Sequence, residues 1–524
     1  MGGEMRLGVD FGTTRTVVSA VERGRYPVAA FETPAGFVDY LSGLAVLAEG
    51  KLHFGHEARS YLDGASVLAI QSVKRALAGL APDDPVPGLV GVNALDLATR
   101  YLEYVRRRVL YHSNLDVPDG EPLEVVVAVP ANAGTRQRYL TLEAFSRAGF
   151  HVLGMVNEPT AAAIEYAHRN LGAIGRRSPK RYVVVYDLGG GTFDTSAVSL
   201  EGRRFELLAS EGIAKLGGND FDEVLMELAL EATGVAPGAL SSGKRAALLE
   251  VCREAKETLG QHTKRLLIDC GTILPGQEAI VVEASRFYER TEPMIEQTLD
   301  LIASIFQRLD GTGIDPANPR ELGALYLVGG STSFPAVARV LRRAYGRKLL
   351  LAPQPHAATA VGLAIAADAD AELFVVEAVT RHFGVWREAE QGREKYFDAI
   401  FRKDTASDEA LELTVQRNYR PVHRVGHLRF VECSRLTEDG QPTGDLTPWG
   451  EFLFPYDPTL ADSTNLAGRA GERTTRLADV EILETYRYSR DGSVSVEIEN
   501  RTHGYRRAFV VSQQELRPLG GVQG

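Results

Sequence analysis

Cysteine, tryptophan and long apolar runs are all scarce in this chain. The three cysteines, Cys252, Cys270 and Cys433, are too few and too scattered for a disulfide framework or a structural zinc site. Such sparing use fits a reducing compartment, and the cytoplasm is the expected location. No run of about 18 apolar residues occurs, and the N-terminal residues pass from Met1 into a strand pattern without a signal-peptide core. Neither a membrane span nor export by that route is therefore expected. Positive charge does not predominate either: 58 Lys and Arg stand against 69 Asp and Glu, a net −11, so no overall field would draw nucleic acid or anionic lipid. The short basic runs Arg106–Arg108 and Arg176–Arg177 read as solvated faces. What is present is an ordinary soluble composition, 44% apolar and 24% charged over 524 residues, enough for two or more domains with a sizeable core.

The first 370 residues alternate β-branched runs with helical stretches. Leu7–Asp10, Val125–Val129, Val183–Asp187 and Leu325–Val328 read as strands, and Phe221–Ala232, Lys244–Leu259 and Val337–Ala344 as helices, the pattern of an α/β domain. Beyond residue 380 helical periodicity fades. Leu411–Val415 and the strictly alternating Val494–Glu499 suit antiparallel strands, and Asp491-Gly492 predicts a tight turn joining Val480–Tyr488 to Val494–Glu499. Between the two parts, Ala371–Ala378 sets four apolar residues among acids. A solvated linker would pay to expose them, so this run is expected to dock. The Thr-, Gly- and charge-rich segment 457–476 reads as a long surface loop.

An internal repeat is more informative. Asp10-Phe-Gly12 is followed by Ser19-Ala-Val21, and Asp187-Leu-Gly189 by Ser196-Ala-Val198 at the same offset. Two strand–turn–strand units of one design imply two related lobes facing across a cleft. In both turns the missing side chains let successive backbone N–H groups point inward, and Thr13, Thr14 and Thr192 add hydroxyls, a combination that favours phosphate oxygens. Neither turn has the spacing of a P-loop or of the dinucleotide fingerprint. Asp10 and Asp187 are suited to hold the water shell of a Mg²⁺ shared by two phosphates. Each turn alone is equally well read as a hairpin whose Asp caps backbone N–H groups; the repeated frame favours the phosphate clamp. A third cluster, Leu327-Val-Gly-Gly-Ser331, ends a strand where Gly329 and Gly330 would let a flat group approach the backbone. Glu158, in Asn157-Glu-Pro-Thr160, lies at a strand–helix junction, where it would at the least favour the helix N-terminus.

Four segments together resemble the nucleotide-binding domain of the DnaK-type, or heat shock protein 70, family of the actin-like ATPase superfamily. They are Leu7-Gly-Val-Asp-Phe-Gly-Thr-Thr14, Val156-Asn-Glu-Pro-Thr-Ala-Ala-Ala-Ile-Glu-Tyr166, Val185-Tyr-Asp-Leu-Gly-Gly-Gly-Thr-Phe-Asp194 and Leu327-Val-Gly-Gly-Ser-Thr332. Their order and spacing match over about 370 residues. The resemblance implies an actin-like two-lobed α/β ATPase domain at 1–370, an apolar linker at 371–378 and an all-β, sandwich-like substrate-binding domain at 379–524. It implies ATP and ADP as ligands with Mg²⁺, and hydrolysis by water attacking the γ-phosphate. Asp10 and Asp187 would hold the metal's waters. Gly12, Thr13, Thr14, Gly189, Gly190, Gly191 and Thr192 would contact phosphates, with Gly217 and Gly218 as a further phosphate-side turn. Lys74 matches the family's catalytic lysine, and Glu158 and Asp194 would complete its polar shell. Lys256, Gly329, Gly330 and Ser331 would face the nucleoside. Pro130 and Arg138 resemble the pair that relays nucleotide state to the second domain.

The departures are specific. Glu257 stands where a basic residue packs on the adenine ring, Gly260 replaces a serine, and Ser333 replaces a stacking arginine. Loss of two planar cations removes contacts worth about 0.5–2 kcal/mol each, which predicts weaker or altered base binding with phosphate binding kept. Gly154 replaces an arginine that engages J-domain partners, which argues against dependence on one, while a nucleotide exchange factor remains compatible. The stretch from Tyr396 to Val415 looks short for every strand of a peptide groove, and the chain after Val511 is too short for the family's helical lid.

Three functions are compatible with these features to different degrees. The expected one is an ATP-driven, slowly hydrolysing chaperone-like protein whose β-domain binds protein or peptide segments. The alternative is a nucleotide-gated regulator or scaffold with little turnover and one dedicated partner. A small-molecule kinase of the same superfamily is disfavoured, because chaperone-type strings and a β-tail stand where a sugar pocket would be needed.

Overall fold

A computed structural model describes residues 5–511, apart from 63–66, 118–119, 121, 134, 172–173, 175–177, 201–203, 272, 275, 277–278, 310–313, 372–373, 377–380, 390–393, 404–412, 438, 462, 464, 470–471 and 490–492. The chain divides into two compact units. One comprises Met1–Ala78, Pro85–Ala131 and Ala144–Val375, the other Gly79–Asp84, Asn132–Glu143 and Val376–Gly524.

The first unit is built on two sheets of matching design. The first sheet contains β1 (Met5–Phe11), β2 (Arg15–Ala20), β3 (Leu41–Ser42), β4 (Leu123–Val129) and β5 (His151–Asn157), in the order β5-β4-β1-β2-β3. The second contains β6 (Tyr182–Leu188), β7 (Phe193–Ser199), β8 (Arg204–Ile213), β9 (Leu322–Val328), β10 (Leu349–Leu351) and β11 (Phe374–Val376), in the order β10-β9-β6-β7-β8-β11. In each, a central antiparallel hairpin has a parallel strand on its other flank: β1 pairs β2 antiparallel and β4 parallel, and β6 pairs β7 antiparallel and β9 parallel. The repeat seen in the sequence is thus a repeat of topology. The continuous apolar runs of β4 and β6 follow from burial on both faces.

Helices alternate with these strands along the chain. They include α1 (Val73–Ala76), α2 (Ala94–Tyr111), α3 (Thr135–Arg147), α4 (Glu158–Arg169), α5 (Gly218–Thr233), α6 (Ser242–Glu257), α7 (Ala284–Arg308), α8 (Pro335–Tyr345) and α9 (Ala358–Ala367). Helix α9 is apolar all round because it is buried between β1 and α4: a Cβ on Gly8 would strike the backbone of Ala360 and Ala364, and one on Gly362 would strike that of Ala161. Helices α1, α2, α7 and α9 are not among those expected from the sequence. Helix α2 carries its own signals, an Asn93/Asp96 capping box and buried Leu95, Ala98, Leu102, Val105 and Val109 at helical spacing, whereas α7 continues through Pro293. The basic run on α2 corrects the reading of a solvated face. Arg108 is buried and pairs with Glu57 at 2.8 Å because it lies on the helix face turned inward; Arg176 and Arg177 fall outside the described residues.

The second unit is a β-sandwich. Its strands are β12 (His382–Ala389), β13 (Glu394–Phe401), β14 (Leu413–Tyr419), β15 (Val425–Leu436), β16 (Pro442–Pro455), β17 (Ile482–Tyr488), β18 (Val494–Asn500) and β19 (Tyr505–Val511). They form two four-stranded antiparallel sheets, β13-β12-β15-β16 and β14-β17-β18-β19. Val494, Val496 and Ile498 alternate inward and pack with Phe383, Phe430, Phe452 and Tyr486 from both sheets. The predicted hairpin is present, with Tyr488 opposite Val494, while its turn at 491–492 lies outside the described residues. The 457–476 segment is not wholly superficial: Leu460 and Leu466 are buried beside Val425. Of the apolar run at 371–378, the described part contributes β11 at the edge of the second sheet; the remainder lies outside the described residues. No helix among the described residues is long and apolar enough to cross a membrane.

Candidate functional site

The two glycine turns meet. A methyl group on Gly190 would run into the Thr14 side chain, and one on Gly191 would lie 2.6 Å from Thr13 Cγ2, so the tips of the β1–β2 and β6–β7 hairpins approach within a side chain of each other. Two further glycine turns close on the same point. A Cβ on Gly217 would lie 2.7 Å from Gly191 N, and Gly218 N donates to Gly189 O at 3.0 Å. Ser331 Oγ donates to the same carbonyl at 2.8 Å, and Gly329, held at φ +83°, leaves no room for a side chain against Asp187 and Leu188. Gly12, Thr13, Thr14, Gly189, Gly190, Gly191, Gly217, Gly218, Gly329, Gly330 and Ser331 are therefore brought together from four separate turns.

Beside them lies a buried carboxyl cluster with one ammonium. Ser72 caps α1 through Arg75 N at 3.1 Å and also donates to Thr13 O, which fixes α1 against the first turn. That anchoring sets Lys74 Nζ 2.7 Å from Glu158 Oε1. Glu158 heads α4 directly after β5, the junction expected from its sequence. Asp10 and Asp187 end their strands at equivalent places, and Asp194 sits opposite Asp187 across the β6–β7 ladder. Burial, reinforced by the Glu158 carboxylate, pushes Asp10 up to about 7 against the pull of Lys74. Asp194 is pushed up to about 7 by the same two causes, with Lys74 and the Thr192 hydroxyl opposing. Asp187 is held well above the carboxylate range by burial, then by Glu158, Asp194 and Asp10. Burial alone would favour a neutral Lys74, but Glu158 and then Asp10 hold its ammonium above the ordinary value.

Among the described residues, Asp10, Asp187, Asp194 and Glu158 share the Lys74 ammonium, a set whose negative charge suits a cation. The residues fit Mg²⁺ held through its waters. Among the described residues no three carboxylate, His or Cys ligands converge closely enough to bind a metal directly, and Mg²⁺ retains several waters where few protein ligands reach it.

Other side chains have partners that the sequence did not suggest. Lys256 Nζ lies 2.6 Å from Asp222 Oδ1 and 2.8 Å from Gly218 O, so its charge is engaged within the second lobe. Thr14 Oγ1 donates to Asn219 Oδ1 at 3.2 Å. Arg75 points along Gly191 towards Asp220 at 3.5 Å. Arg15 reaches Glu257 at 2.5 Å. Arg138 is buried, with Nε 3.4 Å from Ala133 O. Gly154 lies at a register shift of β5 with open space around it.

A family model described as "Hsp70 protein" matches residues 118–379, half of the chain. The chain belongs to the Hsp70 family. Among curated proteins it is similar to a "Chaperone protein HscA homolog" of Burkholderia cenocepacia, 31% identical over 377 residues covering 70% of this chain and 58% of that protein. Proteins of the same description in Bordetella petrii and Variovorax paradoxus are 30% and 31% identical over 383 and 386 residues. The chain spans somewhat over half the length of these relatives, and the family-model match covers three of the four glycine turns, those at residues 189–191, 217–218 and 329–331.

Proposed function

We propose that this chain is an ATP-binding, slowly ATP-hydrolysing chaperone-like protein whose nucleotide state controls how its β-domain holds protein or peptide segments. The observation that carries the reading is the meeting of the two hairpin tips beside a carboxyl cluster in which burial and neighbouring carboxylates hold Asp187 well above the carboxylate range. Gly12–Thr14 and Gly189–Thr192 receive the phosphates from the two sides, with Gly217 and Gly218 behind them. Asp10 and Asp187 would hold the waters of Mg²⁺, which would supply positive charge to offset that developing on the phosphates. Lys74 lies beside the γ-phosphate and orients the attacking water; Glu158 fixes its ammonium, and Asp194, steadied by Thr192, completes the polar shell. Fixed donors of this kind need no rearrangement as charge moves, which is why they lower the barrier.

The two-sheet sandwich and the Hsp70 membership support a client-binding role for the second unit, with a nucleotide exchange factor compatible and a J-domain partner disfavoured by Gly154. The chaperone description of the relatives and the sparing use of cysteine favour the cytoplasm as the place of action. Residues 1–370, 371–378 and 379–524 are taken as the nucleotide domain, linker and substrate domain of this reading.

The deciding experiment is single-turnover hydrolysis of ATP by the wild type and by Lys74→Ala. A fall of about a hundredfold or more in the variant, with ATP still bound, is expected for loss of a positioned water-orienting group. Equal rates would end the enzymatic reading.

A further inference from the structure

Where the nucleotide-cleft reading would place the nucleoside, beside the glycine turn at 329–331 and the end of α6, the structure holds a cation from the opposite lobe. Helix α6 offers Glu257 there, and the turn after Gly330 offers Ser333, neither of which can stack as a planar cation. Arg15 begins β2, one residue past the first glycine turn, and belongs to the opposite lobe. Its Nη2 lies 2.5 Å from Glu257 Oε1, its guanidinium carbon stands 4.3 Å from the centre of the Tyr40 ring, and a Cβ on Gly330 would lie 3.5 Å from its Nη1. The same guanidinium is thus bounded by the glycine turn at 330, by the end of α6 next to Lys256, and by an aromatic face. With 23% of the Arg15 side chain and 43% of Glu257 exposed, the ion pair alone is a weak tether, and the Tyr40 ring supplies the rest of the hold.

We propose that Arg15 is the base-stacking cation of the nucleotide cleft, contributed by the first lobe, and that Glu257 is the positioning residue that holds it against the Gly329–Ser331 turn. The proposal rests on the nucleotide-cleft reading above and names how the base is received. A guanidinium is planar and weakly hydrated, so it can lie flat on a purine while its edge stays paired with a carboxylate; a lysine ammonium cannot do both. Glu257 then becomes the counter-charge of a displaced cation. Stacking reads the π-face of a base and not its edge, so a purine nucleotide is favoured with little discrimination between adenine and guanine.

The test is calorimetric titration of the full-length chain with ATP, GTP and inorganic tripolyphosphate, each with Mg²⁺, for the wild type, Arg15→Ala, Arg15→Lys and Glu257→Gln. Wild-type affinities for ATP and GTP are expected within about threefold of each other. Arg15→Ala should weaken both about tenfold and leave tripolyphosphate within about twofold, because only the base contact is lost. Arg15→Lys keeps the charge and the ion pair but should recover only part of that loss, and Glu257→Gln should cost about two- to fivefold. Equal losses for ATP and tripolyphosphate would make Arg15 a phosphate contact, and tighter ATP binding by Arg15→Ala would make it an obstruction; either overturns the proposal. A wild type that binds tripolyphosphate but gains nothing from a base overturns it and leaves the phosphate clamp standing. A wild type that binds none of the three overturns the cleft reading itself.

Discussion

Gly190 and His56 show how much of the site is decided by single residues. A methyl group at Gly190 has nowhere to go except into Thr14, so Gly190→Ala must part the two hairpins by a fraction of an ångström at a cost of about 1–3 kcal/mol. ATP affinity, measured by titration, should fall by about tenfold or more, and Thr14→Gly in the same chain should restore part of it. His56 is half-buried beside Tyr40, and its buried Nε2 has no partner among the described residues. Burial, then the Arg59 charge, lowers its pKa to about 4. The folded value lies below the unfolded one, near 6.5, so the unfolded chain takes up the proton first and stability declines as pH falls from about 6.5 to about 4. Urea denaturation at pH 7 and pH 5 should show this fall, and His56→Gln should flatten it. The sequence exposed Lys74, Glu158, Asp10 and Asp187 through their motifs. It did not expose His56, because a histidine in a polar-looking segment carries no sign of being half-buried.

At the scale of elements, close packing and a buried ion network set the tolerances. Helix α9 crosses α4 where Gly362 leaves no space against Ala161, so Gly362→Ala should lower stability by about 1–3 kcal/mol, read as a lower thermal midpoint with the nucleotide motifs untouched. In the sandwich, Arg387 on β12 pairs with Asp398 on β13 at 2.7 Å and with fully buried Glu484 on β17 at 2.6 Å, clasping one sheet to the other. Tyr419 and Tyr486 each donate to Glu484 as well, at 2.6 and 2.7 Å. Glu484→Ala leaves the Arg387 guanidinium paired with Asp398 alone and takes the acceptor from Tyr419 and Tyr486, and should cost about 3 kcal/mol in denaturant unfolding, whereas Arg387→Met with Glu484→Met should recover most of it. Strands β1, β4, β6 and β9 of the first unit were legible from their β-branched runs, and the hairpin ending in Val494–Asn500 from its alternation. Short strands such as Ala45–Ala48 and Lys51–Phe54 were not, since four residues cannot establish a period.

For the whole molecule, the two units have separate apolar cores, one running through Val184, Phe221 and Ile302, the other through Phe430, Val496 and Phe454. Scanning calorimetry of the full chain should therefore resolve two transitions, and Mg²⁺ with ADP should raise only the one that belongs to the first unit, as binding to a folded state requires. A single transition that shifts as a whole would contradict this. The amino-acid sequence by itself determined the glycine turns, the strands that carry them, their repetition and the family, because a turn without side chains and a strand with a continuous apolar run are local consequences of residue type. Only the tertiary structure decided what those turns face. That Arg15 meets Glu257 across 242 positions and that Gly190 presses on Thr14 depend on how two lobes pack, that Lys256 serves Asp222 depends on how α5 and α6 pack within one of them, and packing brings together side chains whose spacing along the chain carries no trace of the encounter.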